Sequence, residues 1–259
     1  MKRKKIIKRI LICSTTFVLI ALLGFLISKS EINSNIESIY TSNNISLQNK
    51  LSVLEEARND PNILLVNKDT LLSDNYVAND ITESNLPFLS NITTTKLNKT
   101  VSEHAKAMFN DAKLAGIDLM GASGYRTHQT QVNLFNTNVK AKGKEAALKY
   151  SAPPGASEHE TGFAIDIVSK DYTKLDSGFE NTKAFTWLKE NSYKYGFILR
   201  YPKDKVNITK YSYEPWHYRY VGISHATKIT ENDLCLEEYL NDLDAEIKLL
   251  KNDLETIDY

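Results

Sequence analysis

Two cysteines in 259 residues are too few to staple a fold with disulfides. Cys13 lies inside an apolar run and Cys235 in a C-terminal amphipathic stretch, so neither has the setting of a catalytic thiol and no bridge between them is expected. The ten glycines form no phosphate-cradling loop, and no internal repeat is present. Net charge is missing as well, since 32 basic residues balance 32 acidic ones. That balance comes from opposed ends: residues 1–9 carry +6 and residues 231–259 carry −8, which leaves +2 on residues 10–230. With no basic stripe interleaved with aromatics, nucleic acid is excluded as a partner.

One long uncharged segment is present. After Lys2, Arg3, Lys4, Lys5, Lys8 and Arg9, the eighteen residues Ile10 to Ile27 carry no charge. As a helix this run would be about 27 Å long, close to the thickness of a bilayer's hydrocarbon layer. It is longer than a cleavable leader's apolar core and ends without a small-x-small cleavage pattern, so residues 1–28 are expected to be a cytoplasmic basic segment and an uncleaved signal anchor. Ile12 precedes Cys13 where a lipoprotein site would have a small residue. The positive-inside tendency sends everything after Ile27 to the far side of the membrane.

Residues 29–60 are rich in Ser and Asn and read as a stalk or linker, with a short helix around Leu47–Ala57. Residues 61–240 suit one domain able to bury a sizeable core. In the acidic tail, residues 241–259, an apolar seam of Leu236, Leu240, Leu243, Ile247, Leu250, Leu254 and Ile257 alternates by four and three, as on a helix. Three fates are open to that helix: a homodimer, pairing with the segment around Leu47, Leu51 and Leu54, or packing on its own domain.

Chemistry concentrates in SEHETGFAIDI (157–167) and EPWH (214–217). Catalytic zinc takes three nitrogen or oxygen ligands and leaves a fourth position to water, and His159, Asp166 and His217 supply two imidazoles and one carboxylate. Gly162 and the alternating run Phe163 to Ile167 point to a turn feeding a strand, so these residues can converge on one ion. Pro215 disfavours a helix through Glu214. A glutamate beside a ligand, and not itself one, has the place of a general base, which makes Glu214 the candidate. The competing reading is that a histidine is surface or satisfied core, and this is the expectation for His104, His128 and His225.

SGYRTHQTQ (123–131), YSAPPGASEHETGFAIDI (150–167) and EPWHYRYVG (214–222) resemble, in order and separation, the three signatures of VanY-type D-alanyl-D-alanine carboxypeptidases. LLVNKDTLLSDNY (64–76) and HATKITENDLCLEEYL (225–240) resemble the beginning and end of that catalytic domain. The resemblance implies an α+β fold of the hedgehog/DD-peptidase type, an antiparallel sheet flanked by helices, here preceded by an N-terminal transmembrane helix. It implies one Zn2+ per chain held by His159, Asp166 and His217, with Glu214 as base and Arg126 meeting substrate charge. Gln131, Ser123 and Ser157 fall near the substrate in that family, as peptide hydrogen-bonders or as braces of a loop.

A guanidinium suits Arg126's role, because it stays protonated and offers planar, bidentate donors to a carboxylate or an oxyanion. Trp216 and Tyr213 either wall the pocket or fill core. The implied activity is D,D-carboxypeptidase hydrolysis of peptidoglycan stem peptides or their precursors, outside a bacterial cell membrane crossed once. A D-Ala-D-Ala dipeptidase, a stem-peptide endopeptidase and a non-catalytic zinc-containing wall-binding scaffold are the alternatives. Intact Glu214 and Arg126 argue for an enzyme.

Overall fold

Between Gly24 and Pro61 the chain has neither glycine nor proline, so nothing interrupts a helix there. The computed structural model accordingly has α1 (Lys2–Arg58) continuous through the Ser/Asn-rich segment, where the sequence suggested a linker with one short helix. Helix-breaking residues mattered more than composition. The structure describes residues 26–148 and 151–256 with their side chains, and the backbone course of residues 2–25, 149, 150 and 257. Most of the expected anchor, residues 1–25, lies outside the residues so described. Among the described residues no helix is long and apolar enough to cross a membrane.

The chain divides into two compact units. One comprises the residues up to Glu56 and those from Glu246 onward. Lys50 pairs with Glu246 and Glu55 with Lys251, each at 2.7 Å, and Leu54 and Leu250 are buried. Ile32, Ile36 and Ile39 are exposed.

The second unit, Ala57–Ala245, holds the sheet. Asp60 caps a short 3-10 turn at Pro61–Ile63. β1 (Ile81–Glu83) pairs antiparallel with β2 (Lys96–Asn98), and α2 (Lys99–Leu114) follows directly. The Asn98 side chain accepts from the amides of Thr100 and Val101, which sets the start of α2. Next come β3 (Leu119–Ser123), α3 (His128–Lys142) capped by Thr127, and α4 (Lys144–Tyr150). The remainder runs β4 (Ala164–Ser169), α5 (Lys183–Asn191), β5 (Phe197–Leu199), α6 (Val206–Thr209), β6 (His217–Tyr220), α7 (Ile223–Glu231) and α8 (Leu236–Ile257).

The main sheet has the order β3-β4-β6-β5, antiparallel throughout. Val101, Ala105, Met108 and Ala112, spaced four, three and four apart, form the buried stripe of α2 and share one core cluster with Ile165 and Ile167 of β4. Burying Val101, Met108, Ile165 and Ile167 contributes roughly 1.5–3 kcal/mol each, and the two alanines less. Alternation along β4 then turns Asp166 to the face opposite Ile165 and Ile167. Helix α8 begins at Leu236, inside the span read from sequence as domain. Of its seam, Leu236, Leu240, Leu243 and Leu250 are buried, and Ile247 and Leu254 are half-buried.

Candidate active site

Strand register brings the key residues together. Asp166 of β4 lies opposite His217 of β6 on one side and opposite Ser123 of β3 on the other, where a bulge shifts the β3 register. His159 comes from the 3-10 turn Glu158–Thr161, which Gly162 ends at φ 78° before the chain enters β4. Only glycine adopts that left-handed conformation without strain.

His159 Nε2 is 3.4 Å and His217 Nδ1 3.2 Å from the same Asp166 oxygen, Oδ1. All three potential ligand atoms lie within 4.8 Å of one another, and no other such group occurs among the described residues. Ligands at 2.0–2.1 Å around a tetrahedral ion stand about 3.3 Å apart, which is the spacing each histidine nitrogen keeps from Asp166 Oδ1.

The opposite ring nitrogens identify the protons. His159 Nδ1 is 2.8 Å from the carbonyl of Gly124, which can only accept, so His159 donates there and turns an Nε2 lone pair to Asp166. His217 Nε2 is 3.1 Å from Glu158 Oε2, and donating there leaves its Nδ1 lone pair on Asp166. Neutral histidines would therefore aim two lone pairs at a carboxylate oxygen, an arrangement that calls for a cation at its centre. Burial opposes charge on His217, yet its bonds to Asp166 and Glu158 hold its pKa at about 9. Burial and the nearby Arg126 push His159 down to about 4. Burial works against ionised Asp166 too, but the two histidines keep it well below the usual carboxylate range. Two imidazoles and one ionised carboxylate, each imidazole anchored through its second nitrogen, fit zinc.

A cleft of about 470 Å³ opens over this triad. Arg126, Ser157, Glu214 and Trp216 line it, together with Tyr201, Tyr211 and Tyr213. Glu214 Oε2 lies 3.9 Å from His217 Nδ1, beyond bonding distance, and its side chain is 14% exposed. Burial raises Glu214 to about 7, with Asp166 adding to the rise and His217 and Arg126 opposing it. A carboxylate so poised accepts and returns a proton near neutral pH.

Arg126 follows β3, and its backbone amide donates to the carbonyl of His159 at 3.1 Å. Its Nε and Nη2 donate to Ser123 Oγ at 3.1 and 3.0 Å, Nη1 to Gln131 Oε1 at 3.4 Å, and Nη2 to Asp166 Oδ2 at 3.4 Å. Ser123 and Gln131, placed near substrate by the resemblance, are buried and orient Arg126; neither lines the cleft. Ser157 does line it. Trp216 and Tyr213 are cleft walls, and Trp216 also packs against the core. The remaining histidines stand apart: His104 packs on Tyr220, His128 bonds Glu160, and His225 bonds Tyr239 and Asp60.

Comparison with known proteins agrees with this geometry. The family described as "VanY: D-alanyl-D-alanine carboxypeptidase" matches residues 94–223. "Putative carboxypeptidase YodJ" of Bacillus subtilis (strain 168) is 44% identical over 194 residues, 73% of this chain and 71% of that protein. The chain belongs to the VanY family. Among solved structures, the LdcB LD-carboxypeptidase aligns with a TM-score of 0.66 at 43% identity, over 71% of this chain and 88% of that one. A mutant of the vancomycin resistance D,D-pentapeptidase VanY from a VanB-type cassette, in complex with Zn(II), aligns at 0.57 and 38% identity, over 69% and 98%. Like these VanY relatives, the protein is an α+β metallopeptidase.

The sequence reading passed over one part of this VanY site. Glu158, Arg200, Arg219 and Glu237 form a buried charged cluster behind His217. Arg219 was within reach, because it stands two residues after His217 and strand alternation puts both on one face. Arg200 and Glu237 carry no local signal.

Proposed function

We propose that the protein is a membrane-anchored, zinc-dependent D,D-carboxypeptidase that removes the terminal D-alanine of peptidoglycan stem peptides at the outer face of a bacterial cell membrane. The observation that carries this reading is the convergence of His159, Asp166 and His217 below a cleft that also holds Glu214 and Arg126. The basic N-terminus and the uncharged run Ile10 to Ile27 support the anchor and its orientation.

His159, Asp166 and His217 would hold the zinc, which when bound would supply a Lewis acid for the scissile carbonyl and lower the pKa of water to roughly 7. The protein's own groups carry the proton and the charge. Glu214 takes a proton from the attacking water at a carboxylate oxygen, a role supported by the burial that raises its pKa to about 7. It then returns that proton to the nitrogen of the departing D-alanine, so one carboxylate serves as base and as acid. Arg126 meets negative charge, either the substrate's terminal carboxylate or the oxygen of the tetrahedral intermediate. Because Ser123, Gln131 and Asp166 already hold its guanidinium, little reorganisation accompanies that contact. Ser157, in the cleft wall, is placed to hydrogen-bond the peptide.

A second reading is favoured by the LdcB LD-carboxypeptidase, which aligns at higher identity and TM-score than the D,D-pentapeptidase. In that reading the same machinery cleaves the bond between an L-residue and a terminal D-alanine. Incubating the full chain in detergent with a pentapeptide stem, a tetrapeptide stem and free D-Ala-D-Ala, with and without chelator, separates the two. Chelator-sensitive release of D-alanine from the pentapeptide is the expected result. Cleavage of the tetrapeptide alone would establish the L,D reading, and chelator-insensitive cleavage would overturn the metal mechanism.

A further inference from the structure

His217 and His159 present different nitrogens to the triad, Nδ1 from the first and Nε2 from the second. What selects Nδ1 on His217 is its far side. Nε2 meets Oε2 of Glu158, the residue just before His159 and wholly buried on the pocket floor. The other Glu158 oxygen, Oε1, accepts from Arg200 Nε at 2.6 Å and from Arg219 Nη1 at 2.9 Å, and neither guanidinium has any exposed side-chain surface. Arg219 is fixed in turn by the carbonyls of Asn62, Leu64 and Tyr220. Arg200 is clamped by Glu237 of α8 at 2.8 and 2.6 Å, and Asn67 also donates to Glu237.

We propose that Glu158 is a positioning residue for the metal centre, setting the tautomer and ring orientation of His217 and coupling that ligand through Arg200 to Glu237 at the start of α8. This inference rests on the zinc reading of the triad. Its physical basis is donor and acceptor accounting. Only an ionised carboxylate can accept on one oxygen from two guanidiniums and on the other from an imidazole N–H. A glutamine in its place must turn an NH2 group either toward the two arginines or toward His217 Nε2–H, and each choice sets donor against donor. The carboxylate also raises the basicity of the ligand it holds, as outer-shell carboxylates behind metal-bound histidines do.

The test uses the full chain in detergent with 15N-labelled histidine. In the zinc-loaded wild-type protein, nitrogen shifts and couplings are expected to show His217 protonated at Nε2 and bound through Nδ1; the reverse assignment overturns the proposal without any variant. E158Q is expected to bind zinc roughly 10–100-fold more weakly in competition with a chromophoric chelator. The far-UV circular dichroism of metal-free E158Q should match that of the wild type. A folded E158Q whose zinc affinity stays within about twofold of wild type refutes the positioning role alone, whereas a wild-type chain that takes up no zinc removes both this role and the metal reading. If E158Q does not fold, the wild-type tautomer still decides.

Discussion

Glu237→Ala isolates the energetic weight of the buried charged cluster. Glu237 accepts from Arg200 Nη1 at 2.8 Å, from Arg200 Nη2 at 2.6 Å and from Asn67 at 3.1 Å. With it present, two carboxylates face two guanidiniums and the cluster is neutral. Truncation leaves Arg200 and Arg219, both without exposed side-chain surface, sharing Glu158 alone, a net positive charge in the interior. Removing one partner of a buried ion pair typically costs about 3–5 kcal/mol, which is a large share of a total stability of roughly 5–15 kcal/mol. The exposed pair Lys203–Glu180, at 3.4 Å with the lysine side chain 72% exposed, is the control, and Lys203→Ala should cost at most about 1 kcal/mol.

Urea unfolding followed by tryptophan fluorescence reads this directly, because Trp187 and Trp216 both lie in the unit that holds the cluster. A loss below about 1 kcal/mol for Glu237→Ala would refute the electrostatic reasoning. The pH dependence carries a sign. Burial works against charge on Glu237, but Arg200 and Asn67 hold it below its ordinary 4.5, so the folded value is the lower one. Its stabilisation is therefore present above about pH 4.5 and is lost as pH falls through the folded value. The stability difference between wild type and Glu237→Ala should narrow on acidification in that range.

Glu214→Gln should lower kcat by about 10²–10⁴ while zinc content by elemental analysis stays at one per chain, since Glu214 stands outside the converging ligand atoms. Loss of zinc in that variant would make Glu214 a ligand. Chelation should abolish peptide cleavage, and restoring zinc at about a thousand times its Kd should stabilise the fold by about 4 kcal/mol in thermal unfolding; an unchanged midpoint argues against metal binding at the triad. Gly124→Ala would drive a Cβ into the carbonyl oxygen of Lys96 and displace the carbonyl that holds His159, so zinc affinity should fall; a variant with wild-type affinity shows that the strand tolerates the shift. Deleting residues 246–259 should leave the oligomeric mass in sedimentation unchanged, because Leu250 of that stretch is already buried within one chain. A drop in mass would restore tail-driven assembly.

Much of the site was legible where chemistry and spacing act locally. His159 and Asp166 sit on either side of a glycine turn, Glu214 and His217 flank a proline, and such short spans constrain backbone enough to read. The stalk was read less well, since a Ser- and Asn-rich composition suggested a linker while the missing glycines and prolines allowed an unbroken helix. Ser123 and Gln131 could be placed near the site but not oriented: whether they face a substrate or Arg126 depends on a bulge in β3 and on how α3 packs.

The sequence by itself singled out His159, Asp166, His217, Glu214 and Arg126 as candidates and fixed the charged and apolar character of the two ends, because each depends on residue chemistry or on neighbours a few positions away. Only the tertiary structure decided which nitrogen of each histidine faces Asp166, which side chains hold Arg126, and that Arg200 and Glu237 stand behind His217. The first two depend on register between strands and on the bulge in β3, and the last on the pairs Glu158–Arg200, Arg200–Glu237 and Glu158–His217, 37 to 59 residues apart along the chain. Separations of that size leave no periodic trace in the sequence, and only folding brings such charges close enough to compensate one another's burial.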